Sequence, residues 1–600
     1  MARTSILHRL PLGRVHAGMP EWLRVALALV TLVLGAVIVI RPTTALDVLA
    51  LLLGGGMVLT GVVEATSRPE EGSRRWWRYL LAAGWVGVGV FVLLWPALTV
   101  RAVAVITGIL LLVNGAAGIV GAFRRGRGWD ARIADAAFGA TGIIFGVLAL
   151  GWPDITLLVV AVVFGSWLIM RGVTDLWTAI RRRRDAGKDQ TDAAPRRRWG
   201  RTVMAVGSVA LAVVTVLVTA PLREGSTVVD EFYAAPRDIP DEPGQLIRAE
   251  EFTREVPADA QGWRILYTTT GVDGKVRVAS GLVVTPRGGD EDTRWPVIDW
   301  NHGTTGYAQH CAPSLQERPF WAGALYFPRK VIAEGWAIVA TDYIGLGTQG
   351  PHPYLFGKPS AYASLDAVRA ARQLDETRLD RRTVIWGHSQ GGHAALWAGA
   401  LAQTYAPEVW VRGVAALSPA SDLPTIVKHV DDVTGGSIFA SYAFAAYSAI
   451  EPDVTYDRYV RPGAQTFVRS MAQRCLTDPD MALSILAVLG TTQDPDVFAE
   501  DPTTGPLGAA LRANAAPTLI GPPVLVGQGA ADSIVLPSVQ DDFVARMCEA
   551  GQRVDYRRYA GFQHAQVMEG YSPLTADLLE WTRGRFAATD AGLGCTVTEK

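Results

Sequence analysis

Ser389, Asp532 and His564 stand in that order along the second half of the chain, and these three side chains together can attack a carbonyl and shuttle its proton. A serine hydroxyl is a weak nucleophile at its own pKa and needs a base beside it. Ser389 lies in Gly387-His388-Ser389-Gln390-Gly391, after the apolar run Val384 to Trp386 and before the helix-like HAALWAGALAQ. A Gly-x-Ser-x-Gly run between a strand and a helix is the context of a nucleophile elbow, where a tight turn presents the hydroxyl above a sheet. The flanking Gly387 and Gly391 leave room for neighbouring chain, and His388 belongs to the same turn. The bland alternative is a turn serine that caps a helix.

The base must follow the nucleophile and the acid must lie between them. Beyond His393 only His429 and His564 remain, and His564, in YAGFQHAQV, sits after an expected last strand and before a closing helix. His429, in LPTIVKHVDD, reads as a surface residue of a helical insertion. Asp532, in VLVGQGAADSIVLP, follows a strand and can hold the imidazole in its working tautomer. Asp422, after the preceding strand, is its rival, while Asp541 and Asp542 read as helix-surface charges.

A tetrahedral oxyanion needs two N–H donors. The backbone of Gln390 supplies one, and the loop NHGTTG (Asn301 to Gly306) the other, with Thr304 as donor and His302 and Gly303 shaping the loop. His302, or His310 with Cys311, could instead suggest a metal, but the loop reading accounts for them better. No metal, cofactor or nucleotide is therefore expected, and the glycines of SQGGHAAL belong to the elbow rather than to a phosphate loop.

The elements that must carry these residues alternate from about Gly262 onward. Strands are expected at Val297–Trp300, Trp336–Ala340, Val384–Trp386, Val414–Leu417, Val524–Val526 and Arg553–Tyr559. Helical runs lie between them, including Ser360–Leu374 and a closing Ala576–Phe586. Near-continuous apolar strands separated by helices argue a mostly parallel sheet covered on both faces.

The first 220 residues differ in kind. The mean hydropathy of +0.20 and the charged fraction of 19% are set by apolar runs long enough to cross a bilayer. Seven are expected near 22–40, 45–65, 77–95, 99–122, 133–151, 155–178 and 202–220. The first six repeat. Pro42, Pro96 and Pro153 each begin a short turn; Gly35, Gly89 and Gly146 lie seven residues before, and Gly54, Gly108 and Gly165 twelve after. Gly61, Gly115 and Gly172 complete the register, nineteen residues after each proline. The expected unit is a helical hairpin used three times, with small faces that let helices approach closely.

Arginines lie ahead of the first run (Arg3, Arg9, Arg14), between runs two and three (Arg68, Arg74, Arg75, Arg78), and between four and five (Arg124, Arg125, Arg127). They recur in the linker between six and seven, Arg181–Arg184 and Arg196–Arg198, whereas the proline turns are nearly uncharged. By the positive-inside rule the N-terminus is cytoplasmic, and seven spans put everything after Leu222 outside. Arg171 and Asp175, four residues apart in run six, read as a pair near the cytoplasmic end. The net charge of −1 gives the chain as a whole no polyanion partner, so no nucleic acid is expected, and protein partners are left open.

All four cysteines, Cys311, Cys475, Cys548 and Cys595, fall in the second half, which suits two disulfides in an oxidising compartment. Four cysteines allow three pairings and the sequence does not choose among them; Cys311–Cys475 with Cys548–Cys595 is favoured. Four reduced, buried thiols are the alternative.

Two resemblances gather these readings. The three-hairpin pattern over residues 20–180 resembles the HdeD-like (DUF308 repeat) membrane family, which implies an integral membrane module without known chemistry. WNHGTTGYAQHCAPS, TDYIGLG, GHSQGG, GAADSIVLP and the late histidine, over residues 240–590, resemble the secretory lipase family of α/β-hydrolases. That resemblance implies carboxylester hydrolysis through an acyl-serine, with Ser389, Asp532 and His564 matching the triad. It also implies a lid or cap before the acid, which residues 424–515 fit.

The expected fold class is therefore an all-α transmembrane module, three hairpins plus one further span, followed by an α/β-hydrolase domain. The domains are a cytoplasmic N-terminus at 1–20, a six-span module at 21–180, a basic linker at 181–201, a seventh span at 202–221 and the extracytoplasmic hydrolase at 222–600. Its expected partners are a lipid or ester substrate and the bilayer. Two other functions fit the sequence: an acyltransferase of envelope lipids using the same triad, and a membrane sensor or scaffold that binds lipid without turnover.

Overall fold

The computed structural model describes residues 21–66, 75–123, 129–184 and 228–600 except 434, 492–496, 591 and 593, with scattered positions of 207–217. The expected N-terminal segment 1–20, the linker beyond Arg184, the loops carrying Arg68, Arg74 and Arg124 to Arg127, and most of the seventh span lie outside the described residues. The chain forms two compact units. The first is Met1–Ala220 with Arg461–Phe467 and Leu486–Pro495, and the second is the remainder.

The first unit is helical: α1 Glu21–Ile40, α2 Pro42–Thr66, α3 Arg75–Leu94, α4 Pro96–Ala122, α5 Trp129–Gly151 and α6 Pro153–Arg184. Among the described residues, three stretches are long and apolar enough to cross a membrane: Pro96–Ala122, Arg132–Gly151 and Pro153–Trp177. Val25–Ile40 and Ala82–Leu94 are shorter apolar stretches.

The structure revises the repeat in three ways. Each proline opens a helix rather than a turn, because its fixed φ suits the first helical position and its missing N–H has no partner there; a single residue separates α1 from α2. Arg181 to Arg184, expected in the linker, continue α6. The glycine faces also meet between repeats rather than within a hairpin. A Cβ on Gly89 of α3 would lie 2.7 Å from the Gly54 carbonyl of α2, and one on Gly115 of α4 2.7 Å from that of Gly139 in α5. One on Gly35 of α1 would lie 2.7 Å from the Gly165 carbonyl of α6. The close pairs are thus α2 with α3, α4 with α5, and α1 with α6.

The second unit is built on one ten-stranded sheet. Its strands are β1 Leu246–Glu251, β2 Ala260–Thr270, β3 Val276–Pro286, β4 Trp295–Asn301, β5 Ala337–Ile344, β6 Leu379–His388, β7 Trp410–Leu417, β8 Val524–Gly529, β9 Val554–Tyr559 and β10 Cys595–Glu599. The order is β1-β2-β3-β5-β4-β6-β7-β8-β9-β10; β1, β2, β3 and β5 pair antiparallel, and every pair from β5 to β10 is parallel. Side chains along β6 alternate, with Val384 and Trp386 in one buried cluster and Ile385 in the other, so both faces of the sheet are covered.

The longer helices that follow are α7 Gly357–Ala371, α8 Gln390–Tyr405, α9 Gly436–Ile450, α10 Pro462–Met471, α11 Met481–Thr491, α12 Gly505–Ala513, α13 Pro537–Glu549 and α14 Pro573–Phe586. Helix α7 starts three residues ahead of the expected Ser360 and α14 three ahead of Ala576, where Pro573 occupies the first turn. Between β7 and β8 the chain makes the insertion of helices α9 to α12. Cys311 is bonded to Cys475 and Cys548 to Cys595, the latter tying α13 to the edge strand β10.

Candidate active site

Ser389 follows β6 and precedes α8, with φ 56° and ψ −116°. For a residue with a side chain that is sparsely populated backbone, costing about 1–3 kcal/mol, and the surroundings must impose it. They do so with backbone bonds: the Ser389 N–H donates to the Leu417 carbonyl at 2.9 Å, and its own carbonyl accepts from His393 and Ala420, each at 3.1 Å. A Cβ on Gly387 would overlap the Gly391 carbonyl, and one on Gly391 would overlap that of Asn301. The two glycines are therefore required by the turn itself.

Asp532 follows β8. Its Oδ1 accepts N–H bonds from Ile534 and Val535, each at 2.9 Å, and its Oδ2 accepts from the Gln528 amide at 2.9 Å and from His564 Nδ1 at 2.8 Å. Burial raises its pKa, but the His564 ring and the two backbone N–H groups outweigh that and hold the carboxyl below its usual range. An ionised Asp532 orients the ring so that Nδ1 carries the proton and Nε2 is left to accept one. His388 Nε2 donates to the His564 carbonyl at 3.0 Å, and the two rings lie 4.7 Å apart. The turn thereby holds His564 against His388, the residue before Ser389. No hydrogen bond joins Ser389 Oγ to His564 in this structure; such contacts are commonly long without substrate. Burial, then the neighbouring His564, pushes His388 down to about 3, so it is neutral.

The loop Asn301 to Gly306 passes close to Ser389. A Cβ on Gly303 would lie 3.1 Å from His388 Nδ1 and 3.9 Å from Ser389 Cβ. Among the described residues, the backbone N–H groups of Thr304 and Gln390 have no protein acceptor. Gln390 opens α8, where the first N–H groups of a helix lack intrahelical partners. His302 is buried behind the loop with Nδ1 2.6 Å from the Gly303 carbonyl, and burial lowers it to about 4.

The rivals are placed elsewhere. Asp422 caps a short helix through the Thr425 N–H and pairs with Arg546 at 2.9 Å. His429 is exposed beside Asp432 at 3.2 Å. His310, Cys311 and Cys475 lie within reach of one ion, but both sulfurs are joined in the disulfide.

Two buried residues that sequence reasoning missed reach the side chains of the expected oxyanion donors, Gln390 and Thr304. His352 Nε2 accepts from the Gln390 side-chain amide at 3.1 Å, and the Tyr354 hydroxyl bonds Thr304 Oγ1 at 2.7 Å. Their one local signal is the proline-flanked HPY of PHPYLF.

A parallel-centred sheet with a serine at a strained strand-to-helix turn, an Asp–His pair beside it and a free pair of N–H donors defines the class of the α/β-hydrolases. Comparison narrows it. Residues 324–594 match the secretory lipase family model, and residues 26–93, 80–147 and 137–217 match a short repeat of unknown function, DUF308. The chain carries a secretory lipase domain preceded by three DUF308 repeats, and the domain is of the carboxylic ester hydrolase type. The lipase match begins after the oxyanion loop.

A secreted triacylglycerol lipase of Malassezia globosa is 25% identical over 399 residues, 62% of this chain and 82% of its own. A Mycobacterium tuberculosis protein named a "probable inactive lipase" is 25% identical over 384 residues, 60% of this chain and 82% of its own. Candida antarctica lipase A in its closed state shares the fold, with a TM-score of 0.51 and 19% identity over 61% of this chain and 87% of that one.

Proposed function

We propose that the protein is a membrane-anchored serine carboxylester hydrolase that acts on lipid or other esters outside the cytoplasmic membrane. The observation that carries this reading is the 2.8 Å bond from His564 to a buried, ionised Asp532, next to the strained Ser389 turn. Ser389 Oγ attacks the ester carbonyl while His564 Nε2 takes its proton, and the N–H groups of Gln390 and Thr304 receive the oxyanion. Collapse breaks the ester C–O bond, and His564 returns the proton to the leaving alcohol. Water, deprotonated by His564, then attacks the acyl-serine; the acyl C–Oγ bond breaks to release the acid, and His564 returns the proton to Ser389 Oγ. In the second unit, helix α9 of the insertion between β7 and β8 serves as a cap on this centre.

Anchoring rests on the apolar helices and the DUF308 repeats. The arginine asymmetry supports a cytoplasmic N-terminus, seven spans and an outer hydrolase, and two disulfides accord with that side of the membrane. One relative's name denies it activity, so activity here stands on this chain's own residues.

The test is hydrolysis of p-nitrophenyl esters from acetate to palmitate by the full chain in detergent micelles, beside Ser389→Ala. The expected loss is about 10⁴–10⁶ in turnover, with phosphonate labelling abolished. A folded wild type no faster than the variant would sink the hydrolase reading and favour a lipid-binding sensor.

A further inference from the structure

We infer that His352 and Tyr354 are positioning residues that hold both oxyanion donors from one loop, and that the cap braces this loop. The inference rests on the hydrolase reading. His352 is fully buried between two partners: it sits with Nδ1 3.0 Å from the Ile344 carbonyl and Nε2 3.1 Å from the Gln390 amide. Burial lowers it to about 3, so the ring is neutral. Its one N–H goes to the carbonyl, and Nε2 is left to accept from Gln390. Gln390 is also buried, and its Oε1 has no partner, so this single bond fixes its side chain. Two residues on, the Tyr354 hydroxyl fixes Thr304 at 2.7 Å.

The loop between them is held from the cap. Leu355 has φ 60°, a conformation that needs external support. Its carbonyl accepts from the Tyr447 hydroxyl of α9 at 3.2 Å, and Phe356 stacks on the Tyr447 ring at 4.4 Å. The cap reaches the oxyanion loop directly as well, through the Leu476 N–H to the Thr305 carbonyl at 2.8 Å, and Cys311–Cys475 ties down the chain just beyond that loop. Donors aimed in advance at the oxyanion are worth most when they do not reorganise during reaction. Helix α9 and the loop therefore set the donors' aim together.

The experiment compares wild type, His352→Gln, Tyr354→Phe and Tyr447→Phe in the full chain. Active sites are titrated with a phosphonate, and kcat, KM and affinity for an alkyl boronic acid, a tetrahedral mimic, are measured per titrated site. The expected result is a fall in kcat of about tenfold or more for Tyr354→Phe and His352→Gln, a KM within twofold, and a matching loss of boronate affinity. Tyr447→Phe should fall in the same pattern by a smaller factor. Unchanged kcat per titrated site, with only the number of sites reduced, would make these residues merely structural and overturn the inference. A wild type that neither turns over nor labels would overturn the hydrolase reading, and this one with it.

A different observation carries a second proposal: the geometry points to a phosphate-type anion site at the other end of the sheet. A cavity of about 730 Å³ there is lined by Arg412, Arg553 and Arg585, with Asp590 its one acidic lining residue. Neighbouring arginines are matched to carboxylates, Arg546 to Asp422, Arg557 to Asp555 and Arg583 to Glu334, but among the described residues Arg412, Arg553 and Arg585 form no ion pair. Arg585 is only 8% exposed; Nη2 donates to the Thr589 carbonyl at 3.0 Å, and Nε has no partner. Asp590 and Asp555 offset part of the charge on Arg585, but Arg412 and Arg553 still repel it, and an anion among the three removes that repulsion.

Titration calorimetry of the full chain with inorganic phosphate and with glycerol 3-phosphate tests it. Saturable binding is expected, weakened at least tenfold by Arg412→Gln or Arg553→Gln, the half-exposed members. Tighter glycerol phosphate would identify a lipid headgroup as the source, and equal or tighter inorganic phosphate a free ion. No binding, or binding that survives both substitutions, overturns the site.

Discussion

Glycine does opposite work in the two units. In the helical unit it removes side chains so that straight helices can touch: the backbones at Gly54 and Gly89 approach because neither carries a Cβ. In the hydrolase unit it permits one bend, where Gly387 and Gly391 let β6 turn into α8 over Asn301. The first use is distributed and each position carries a share of the packing. The second is concentrated, and a single methyl group reaches the chemistry. The units should therefore respond differently to substitution, and the substitutions below test that difference.

The largest effect short of the nucleophile should come from Asp532→Asn. An amide at this position favours the wrong tautomer of His564, and about 10⁴ in kcat should be lost with the fold intact. Steady-state turnover per phosphonate-labelled site measures it. A loss below tenfold would mean that His564 is oriented by something other than the 2.8 Å bond.

Gly391→Ala should come next. Its methyl group would meet the Asn301 carbonyl, so the elbow must shift and carry the Gln390 N–H with it. At least about a hundredfold loss of kcat is expected, the scale of one oxyanion donor. The matched change in the other unit is Gly89→Leu, which overpacks α2 against α3 at a cost of about 1–3 kcal/mol. It should lower the thermal stability of the helical unit while ester turnover stays within twofold. Gly87→Leu, where nothing lies within 4 Å, should do neither. If Gly89→Leu abolished turnover while Gly391→Ala spared it, the contrast between the units would collapse.

The same contrast explains what could be read before the structure. The turn at Ser389 and the bond between Asp532 and His564 could be anticipated because Gly387 to Gly391 is a contiguous five-residue motif and chain order restricts the other two residues. The helices α1 to α6 were legible from their apolar length and repeated glycines. Their pairing was not, because periodicity marks a small face without saying which neighbour meets it. The repeat implied hairpins, whereas the glycine faces join α2 to α3, α4 to α5 and α1 to α6. Tyr354 lies 50 residues from Thr304 and His352 38 residues from Gln390, so their contacts exist only once the sheet brings β4, β5 and β6 together. The antiparallel edge β1 to β3 and the final strand β10 were missed because β1 and β10 are mostly polar and exposed, while the largely buried β2 and β3 mix Arg, Thr, Ser and Gly with their apolar residues.

The smallest expected effect concerns a buried carboxyl that the proposed chemistry does not use. Asp299 on β4 is fully buried; Ser364 donates to its Oδ2 at 2.7 Å, and its Oδ1 has no partner. Burial raises its pKa to about 8 against the weaker pull of Ser364 and Arg372. The folded state therefore favours the protonated acid. Its contribution to stability is fully present below the unfolded pKa of about 3.9, and is lost as pH rises from there through about 8. Asp299→Asn keeps the shape without the titration, so it should flatten the decline of hydrolase stability between pH 5 and pH 8. The variant should gain at least about 1 kcal/mol over wild type at pH 8, since one pKa unit corresponds to about 1.4 kcal/mol. Thermal melts of the full chain at the two pH values measure it. Parallel slopes for wild type and variant would show that Asp299 does not take up a proton on folding, and that its burial is offset by the charge of Arg372.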